Sequence, residues 1–353
     1  MKQAQKKIIM KNTPHVAIVG ATGAVGQELL SLLEERNFPL ASLRCLASPR
    51  SAGTQLNFRG ERVPVAAMND QALDGVDIAF FASGSDVAKT YAPKAAAQGT
   101  LIIDKSGAFR MDPTVPLVIP EINPHAMHNH KGIIACPNCT AAIMLMVLAP
   151  LHKKFGARRV VASTYQAISG AGAKAVQELL EESRSFLQKE PFERSIFPFP
   201  IAFNVFPHNS TLFENGYVEE EIKVMQESHK ILEDASVRLS ITCVRVPTLR
   251  AHAESLNIEF ARPVTAEEAY AELSSFPGLA LLESRAENRF PMPRDASGQD
   301  PVFYGRIRQD LSHPHALELW IVGDQLRKGA ALNAVQIAEA LRKNAECETR
   351  NAK

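Results

Sequence analysis

A glycine-rich turn between an apolar strand and an amphipathic helix constrains the fold of this chain more than any other sequence feature. The run VAIV from Val16 is followed by GATGAVG from Gly20 to Gly26, and then by a helical pattern that continues to about Arg36. Glycines at this spacing let the backbone turn tightly and approach a pyrophosphate at the positive end of the helix. A glycine turn by itself could be purely structural, but its position between a strand and a helix favours a dinucleotide site.

The remaining sequence predicts two different kinds of sheet. Short apolar runs alternate with helical patterns in the first part, which is typical of a parallel sheet with helices on both faces. The strands expected there are at 43–47, 76–81, 101–104 and 132–135, with a helix at 86–98. Beyond a helix at about 140–155, longer strands are expected at 159–165, 237–246, 255–260 and 316–322, with helices at 173–188, 219–232 and 329–343. The predicted fold class is therefore α/β, an N-terminal doubly wound Rossmann domain followed by a second α+β domain with a mixed sheet.

Length, charge and cysteine content exclude several classes of protein. A chain of 353 residues has room for two domains. Its 39 Lys and Arg residues balance 38 Asp and Glu residues, which argues against a nucleic-acid or membrane-surface role. No apolar stretch reaches the roughly 18 to 20 residues of a membrane span. Five scattered cysteines predict a reducing, cytoplasmic location, and the basic residues 1–15 lack a secretory signal and are interpreted as a frayed extension, with Met10 an alternative start.

The residues after the second predicted strand indicate which nicotinamide cofactor would bind. A site that prefers NAD usually places Asp or Glu at this position, where it binds the ribose hydroxyls. Here the chain has Ser48, Arg50 and Ser51, which are a cation and two hydroxyls without a carboxylate. This set suits the 2′-phosphate of NADP, although a solvated loop arginine is the alternative interpretation.

Cys139 is the candidate nucleophile. It lies in CPNCT, just after a predicted strand and at the start of an apolar helix, where the helix N-terminus favours a thiolate. The spacing to Cys136 also permits a metal or redox pair, but no second pair and no histidine pair completes a zinc site, and Cys136 suits a small buried side chain. The histidines at 125, 128 and 130 fall in one polar loop that is better explained by solvation.

Two further segments combine polar groups at strand ends. The segment TYQAISGAG from Thr164 includes Gln166 and ends in small residues that could admit a planar ring. Arg245, Arg250 and His252 lie between two later strands. Taken alone, Gln166 is explained as a satisfied strand-end amide and His252 as a structural histidine.

Taken together, these motifs resemble the aspartate-β-semialdehyde dehydrogenase family. The matching segments are, in family order, GATGAVG, ASPRSAG, PNCT, TYQAISGAG, CVRVPTLRAH and LRKGAALNAVQIAE, and they extend from about Pro14 to Glu339. The resemblance implies an NADP-binding Rossmann domain at 13–138 that the C-terminal helix at about 329–345 rejoins. It also implies a catalytic and dimerisation domain at 139–328, and a homodimer.

The resemblance also assigns roles to individual residues. It implies that Cys139 is the nucleophile, that Gln166 orients the acyl intermediate and that His252 is the acid/base catalyst. The expected substrate-binding residues are Arg110, Asn138, Glu220, Lys223 and Arg245. The expected cofactor-binding residues are Gly20, Thr22, Gly23, Ala24, Val25, Gly26, Ser48, Arg50, Ser51, Ser83, Gly84, Ser169, Gly170, Gly172 and Gln325, the last at a position where many relatives carry Asn.

Within the substrate site, the resemblance assigns each charged residue to one chemical group of the substrates. Arg245 is expected to bind the substrate α-carboxylate and Glu220 its ammonium group, while Lys223 and Arg110 are expected to bind phosphate. Because Glu219, Glu220 and Glu221 are adjacent, any of the three could align with the family's acidic residue. No metal is expected.

The implied reaction is reductive dephosphorylation of L-4-aspartyl phosphate by NADPH, giving L-aspartate 4-semialdehyde and phosphate through a cysteine thioester. This step belongs to lysine, threonine, methionine and diaminopimelate biosynthesis. The nearest rivals are the N-acetyl-γ-glutamyl-phosphate reductase and glyceraldehyde-3-phosphate dehydrogenase families. A catalytically silent NADP-binding relative is a further alternative, against which the joint presence of Cys139, Gln166, Arg245 and His252 argues.

Overall fold

The computed structural model describes residues 11–351, and side chains as far as residue 344. The chain forms two compact units, one made by the residues up to Pro137 together with those from Ala330 onward, the other by Asn138–Gly329. Most of the expected N-terminal extension, residues 1–10, lies outside the described residues. None of the helices within 11–351 combines the length and apolar character of a membrane span.

The first unit is built around a seven-stranded sheet, and its elements are numbered along the whole chain. The strands are β1 His15–Val19, β2 Ser42–Ala47, β3 Gln55–Phe58, β4 Glu61–Ala67, β5 Ile78–Phe81, β6 Leu101–Asp104 and β7 Ile133–Ala135. The helices are α1 Ala24–Glu35, α2 Ser85–Gln98 and the last helix of the chain, α8 Leu332–Asn351. Single 3-10 turns occur at Pro49–Ser51 and Pro124–Asn129.

The strand order is β3-β4-β2-β1-β5-β6-β7, and every pair except β3 with β4 is parallel. This arrangement confirms the predicted doubly wound domain. The edge hairpin Gln55–Ala67 was missed because its strands are half-exposed and alternate polar with apolar residues instead of forming a buried apolar run. The chain order reverses between β1 and β5, which is where a doubly wound sheet opens a crevice at the strands' carboxyl ends.

The core of this unit includes residues from both ends of the sequence. Leu29, Leu32 and Leu33 of α1 pack with Ile18 and Phe80 of the sheet, and Leu332, Val335 and Ile337 of α8 belong to the same buried cluster. Arg36 donates two hydrogen bonds to Glu339 at 2.9 and 2.8 Å, which ties α1 to α8. The last helix is therefore part of the first unit, although it is most distant in sequence.

The second unit contains another seven-stranded sheet, whose order is β12-β13-β14-β11-β8-β10-β9. Its strands are β8 Ala157–Gln166, β9 Phe206–Pro207, β10 Arg238–Arg245, β11 His252–Phe260, β12 Leu279–Leu281, β13 Val302–Gln309 and β14 Ala316–Gly323. Its helices are α3 Cys139–Phe155, α4 Ala173–Gln188, α5 Glu219–Leu232, α6 Ala266–Ser274 and α7 Pro293–Ala296.

The sheet of the second unit is mixed, as predicted. The β8/β10 and β12/β13 pairs are parallel, whereas β11 runs antiparallel to both β8 and β14. The apolar helix α3 is buried along most of its length and contacts β8, β11 and β14. Two elements begin earlier than predicted, and both changes bear on the site. Helix α3 begins at Cys139 and strand β11 begins at His252.

Two glycines, Gly20 in the turn after β1 and Gly26 in the first turn of α1, have no space for a Cβ atom. Gly20 has a φ of +90°, and a Cβ there would lie 2.6 Å from the Ala82 carbonyl oxygen. A Cβ on Gly26 would lie 2.2 Å from the Gly20 carbonyl oxygen, so α1 packs directly on the turn that precedes it. By contrast, a Cβ on Gly23 would meet that oxygen at 3.4 Å.

We therefore expect Gly26→Ala to destabilise the chain by about 1 to 3 kcal/mol, as overpacking of a rigid site usually does. Gly23→Ala, in the same turn, is the matched control and should change stability much less. Denaturant unfolding of both variants tests the comparison, and equal stability of the two variants would contradict the close approach of α1 to the turn.

Candidate active site

The cofactor-binding residues predicted in the first unit lie in three loops at the carboxyl edge of its parallel sheet. One loop follows β1 and contains Gly20 to Gly23, with Ala24 to Gly26 in the first turn of α1. A second loop follows β2 and contains Ser48, Arg50 and Ser51, and the third follows β5 and contains Ser83 and Gly84. Because β2, β1 and β5 are neighbours, these loops are adjacent.

Two observations show that these loops suit a nicotinamide dinucleotide. The Ser83 Oγ is buried and has no hydrogen-bond partner among the described residues. Arg50 is exposed beside Ser48, and no ion pair involving Arg50 occurs in residues 11–344. An unpaired hydroxyl, a cation and the N-termini of α1 and α2 are groups that attract an anionic ligand.

Cys139 is the first residue of α3 in the second unit. The preceding residue, Asn138, caps this helix because its Oδ1 accepts hydrogen bonds from the backbone N–H groups of Thr140 at 2.8 Å and Ala141 at 3.3 Å. The Cys139 side chain is partly exposed, whereas Cys136 is fully buried, and burial raises the pKa of the Cys136 thiol to about 11. Neither cysteine is in a disulfide, and of the two only Cys139 has the exposure that a nucleophile needs.

The ring of His252 lies beside the Cys139 thiol. Its Nε2 is 3.5 Å from Cys139 Sγ, and its Nδ1 accepts a hydrogen bond from the backbone N–H of Ala167 at 3.0 Å. Because Nδ1 is an acceptor, a neutral ring carries its proton on Nε2, which faces the sulfur. Burial, followed by the nearby Arg245 charge, lowers the pKa of His252 to about 3, so the ring is neutral at physiological pH.

Gln166 connects the start of α3 to helix α5. Its Nε2 donates to Thr140 Oγ1 at 2.9 Å and to Glu220 Oε1 at 3.2 Å, and the side chain is almost completely buried. Its Oε1 has no hydrogen-bond partner among the described residues. The amide is therefore rigidly held, with an acceptor atom left over at the site.

The three adjacent acids at the start of α5 have different partners. Glu219 forms an ion pair with Lys223 at 2.7 Å. Glu221 accepts hydrogen bonds from the backbone N–H groups of Val218 and Cys243, both at 2.9 Å. Glu220 contacts Asn138 through Nδ2 at 2.9 Å and also contacts Gln166, so of the three acids it is the one bonded to the residues around Cys139.

Glu220 is ionised although it is partly buried. Burial alone would raise the pKa of this carboxyl, but hydrogen bonds from Asn138 and Gln166 and the charge of Arg245 bring the pKa below its ordinary value. Arg245 is buried at the end of β10, and burial lowers the pKa of its guanidinium, with Glu220 acting in the opposite direction. A carboxylate and a guanidinium thus occupy the same site as opposite charges.

His208 is a site residue that the sequence analysis missed. It follows the short strand β9, and its Nε2 accepts a hydrogen bond from Arg245 Nη2 at 2.7 Å. Burial, together with the Arg245 charge, lowers the pKa of His208 to about 4. Only the pairing of β9 with β10, which is two residues long, brings His208 to this place, and such a short pair leaves no periodic signal in the sequence.

The remaining predicted site residues have more varied surroundings. Gln325 is buried, with its Oε1 accepting from Ala251 N at 2.7 Å and its Nε2 donating to Ser169 Oγ, so it anchors the loop that follows β8. Gly170 lies in that loop, and Gly172 directly precedes α4. Arg110 is a buried residue of the first unit that donates to Lys105 O at 2.9 Å, and Lys223 is a half-exposed residue of the second. The described residues contain no group of His, Cys, Asp and Glu arranged to hold a metal ion.

A second buried acid lies two residues from His252 on the same strand. Glu254 is fully buried opposite Thr164, and neither its carboxyl oxygens nor the Thr164 Oγ1 have hydrogen-bond partners among the described residues. Burial raises the pKa of Glu254 well above its ordinary value of 4.5, so its carboxyl is protonated in the folded protein.

Comparison with known proteins identifies the class that this fold and site define. Residues 15–130 match the family model for the NAD binding domain of semialdehyde dehydrogenase, and residues 148–328 match the model for its dimerisation domain. The chain is thus a semialdehyde dehydrogenase by class, an oxidoreductase with a nicotinamide-nucleotide-binding domain.

Similar proteins narrow this class. The aspartate-semialdehyde dehydrogenase of Synechocystis is 52% identical over 94% of this chain and 98% of its own length, and that of Bacillus subtilis is 44% identical over 93% and 97%. The crystal structure of aspartate semialdehyde dehydrogenase II from Vibrio cholerae complexed with ASA has a TM-score of 0.91 at 41% identity, covering 94% of this chain and 99% of that one. The chain belongs to the aspartate-semialdehyde dehydrogenase family, which confirms the resemblance seen in its motifs.

We expect the neutral Glu254 to make stability fall as pH rises. Above pH 4.5 the unfolded chain releases the proton that the folded chain keeps, so unfolding becomes more favourable by up to about 1.4 kcal/mol per pH unit, until the folded-state pKa is reached. Glu254→Gln removes this titration, and its stability relative to wild type should therefore rise with pH.

Denaturant unfolding between about pH 5 and pH 8 measures this slope, which does not depend on any constant cost of the new amide. Glu259→Gln makes the same change at a half-exposed position of the same strand and is the control. A stability difference for Glu254→Gln that does not vary with pH would mean that Glu254 is ionised in the folded protein.

Proposed function

We propose that this chain catalyses the NADPH-dependent reductive dephosphorylation of L-4-aspartyl phosphate to L-aspartate 4-semialdehyde and phosphate, a step in the synthesis of lysine, threonine, methionine and diaminopimelate. The observation that carries the proposal is the Cys139 thiol at the N-terminus of α3, 3.5 Å from His252 Nε2, in the same unit as the opposite charges of Glu220 and Arg245. The names of its close relatives support the same substrate.

The two opposite charges suit the amino-acid end of this substrate. The planar guanidinium of Arg245 fits the α-carboxylate, and the Glu220 carboxylate fits the ammonium group. An acylated amine carries no positive charge and would bring no opposite charge to Glu220. This argues against an N-acetylated glutamyl substrate, and glyceraldehyde 3-phosphate has neither group.

The geometry of His252 indicates how it acts. The thiolate of Cys139 attacks the acyl phosphate, the carbon–oxygen bond to phosphate breaks, and a thioester forms. Because Nδ1 already accepts from Ala167 N–H, the ring presents Nε2–H to the sulfur and to the oxygen that becomes negative in the tetrahedral intermediates. We therefore assign to His252 the role of hydrogen-bond donor at the reacting atoms, in addition to the acid/base role that the resemblance implies, and to Gln166 the orientation of the acyl group.

The first unit is proposed to bind NADP(H), which supplies the hydride that reduces the thioester when it is bound. The three loops after β1, β2 and β5 would hold it, with Arg50 and the serines beside it on the 2′-phosphate.

The two domains are proposed to divide these functions. Residues 13–138 with about 329–345 are proposed to bind the cofactor, and residues 139–328 to carry catalysis and dimerisation. Ser169, Gly170 and Gly172 are proposed to line the nicotinamide side of the second unit, and Lys223 and Arg110 to bind phosphate.

A homodimer is proposed from one face of the second sheet. Tyr165 on β8 is 38% exposed, and the centroid of its ring lies 5.5 Å from the ring centroid of the half-buried Trp320 on β14. Exposed aromatic rings on a sheet face suit contact with a second copy of the chain, in agreement with the name of the family model for this region. A cytoplasmic location is proposed because Cys45, Cys136, Cys139 and Cys243 form no disulfide.

One assay tests the proposed function directly. Reduction of NADP+ is followed with L-aspartate 4-semialdehyde plus phosphate, and separately with N-acetylglutamate semialdehyde and glyceraldehyde 3-phosphate. Turnover should be far higher with the first aldehyde, and a preference for either of the others, or no turnover at all, would overturn the proposal.

Cys139→Ser should lower turnover by several orders of magnitude while leaving cofactor binding intact, since a hydroxyl is a much weaker nucleophile than a thiolate. Cys136→Ser, at the other end of the same motif, should mainly reduce stability because it puts a hydroxyl in a fully buried site. Steady-state rates and cofactor titration of both variants make the comparison. Equal loss of turnover in the two variants would instead indicate that the cysteines act as a pair.

Arg50→Ala should weaken NADPH binding by about 1.5 to 3 kcal/mol, which is the range for a charge-assisted hydrogen bond, and should leave NADH binding little changed. Fluorescence titration with the two cofactors separates these effects. Equal weakening would place Arg50 elsewhere, and a wild-type preference for NADH would refute the assignment of NADP.

A further inference from the structure

His208 contacts Arg245, the arginine that is proposed to bind the substrate carboxylate. Its Nε2 accepts from Arg245 Nη2 at 2.7 Å, and since a guanidinium only donates, this nitrogen must carry a lone pair. For Nε2 to accept, a neutral ring must carry its proton on Nδ1, which lies 3.0 Å from Ser210 Oγ; the Ser210 backbone N–H, 3.2 Å from the same nitrogen, competes with that proton. The tautomer is thus opposite to that of His252, where Nδ1 is the acceptor.

The same serine reaches the other charge of the site. Ser210 Oγ accepts a hydrogen bond from the backbone N–H of Glu220 at 3.1 Å. A continuous chain of hydrogen bonds therefore runs from the Arg245 guanidinium through His208 and Ser210 to the first turn of α5, which carries Glu220.

From this chain of contacts we infer that His208 is a positioning residue. It fixes the orientation of the Arg245 guanidinium and, through Ser210, the distance between Arg245 and Glu220, so that these two residues bind the carboxylate and the ammonium group of one α-amino acid. The inference rests on the proposed function. A neutral ring can do this without adding charge to the site, whereas a protonated ring would lose the lone pair that Arg245 uses. The charged groups around the ring are Arg245 on β10 and Glu219, Glu220 and Lys223 on α5.

Kinetics separate a positioning role from a merely structural one. His208→Leu should raise KM for L-aspartate 4-semialdehyde about tenfold, the loss expected for roughly 1.4 kcal/mol, with a much smaller change in kcat and in KM for phosphate. His208→Gln, whose Oε1 accepts from a guanidinium, should restore most of the affinity. His128→Leu, at an exposed histidine of the first unit, controls for the loss of a ring.

A double-mutant cycle tests whether His208 acts through Arg245. Added to Arg245→Lys, which removes the planar fork, His208→Leu should raise KM far less than it does in the wild type. Additive effects, an unchanged KM in His208→Leu, or no rescue by His208→Gln would each overturn the inference.

A measurement that does not need turnover keeps the two proposals apart. Nuclear magnetic resonance of protein with isotopically labelled histidine nitrogens should show His208 neutral at pH 7 with its proton on Nδ1, and Arg245→Lys should change its signal. A proton on Nε2, or a charged ring, would refute the contact with Arg245. If the wild type does not turn over the aldehyde, the proposed function fails, and the tautomer still decides whether His208 holds Arg245.

Discussion

The hydrogen bonds made by Asn138 fix the place where the chemistry is proposed to occur. Its side chain caps α3 and also donates to Glu220, while its backbone N–H donates to Glu227 Oε2 at 2.5 Å. Helix α5 therefore holds the start of α3 at two points one residue before the nucleophile. An N-cap contributes about 1 kcal/mol and a helix N-terminus stabilises an anion by a similar amount, so Asn138 both stabilises the helix and sets the field at Cys139.

Burial then decides which groups in the second unit carry charge. His252 and His208 are neutral because they are buried beside Arg245, and Glu254 is neutral because nothing in its surroundings compensates a charge. Glu220 is the exception, since Asn138 and Gln166 donate to it and Arg245 and His208 lie nearby. The site consequently presents one carboxylate and one guanidinium to a ligand, with two uncharged imidazole rings beside them.

Much of this arrangement could be predicted from the sequence, and what could not has identifiable physical causes. The glycine turn, the strand ends and the helix that begins at Cys139 have local signals, because backbone conformation and apolar periodicity are written in neighbouring residues. The edge strands β3 and β4 escaped because partly exposed strands lack a continuous apolar run.

The place of His208 in the site and the different partners of Glu219, Glu220 and Glu221 could not be predicted for a different reason. Both depend on which side chains meet across elements distant in sequence, such as the pairing of β9 with β10 and the packing of α5 against Asn138. Gln325 shows the same limit, because the hydrogen bonds of its amide to Ser169 and Ala251 join segments that are distant in sequence.

The most direct test of the proposed mechanism is the isolation of the acyl-enzyme. The protein is incubated with L-aspartate 4-semialdehyde and NADP+ without phosphate, quenched in acid, digested and examined by mass spectrometry. The mechanism predicts an aspartyl thioester on the peptide that contains Cys139, and its loss when phosphate is added before the quench. Formation of NADPH without any adduct on Cys139, or an adduct on another residue, would contradict it.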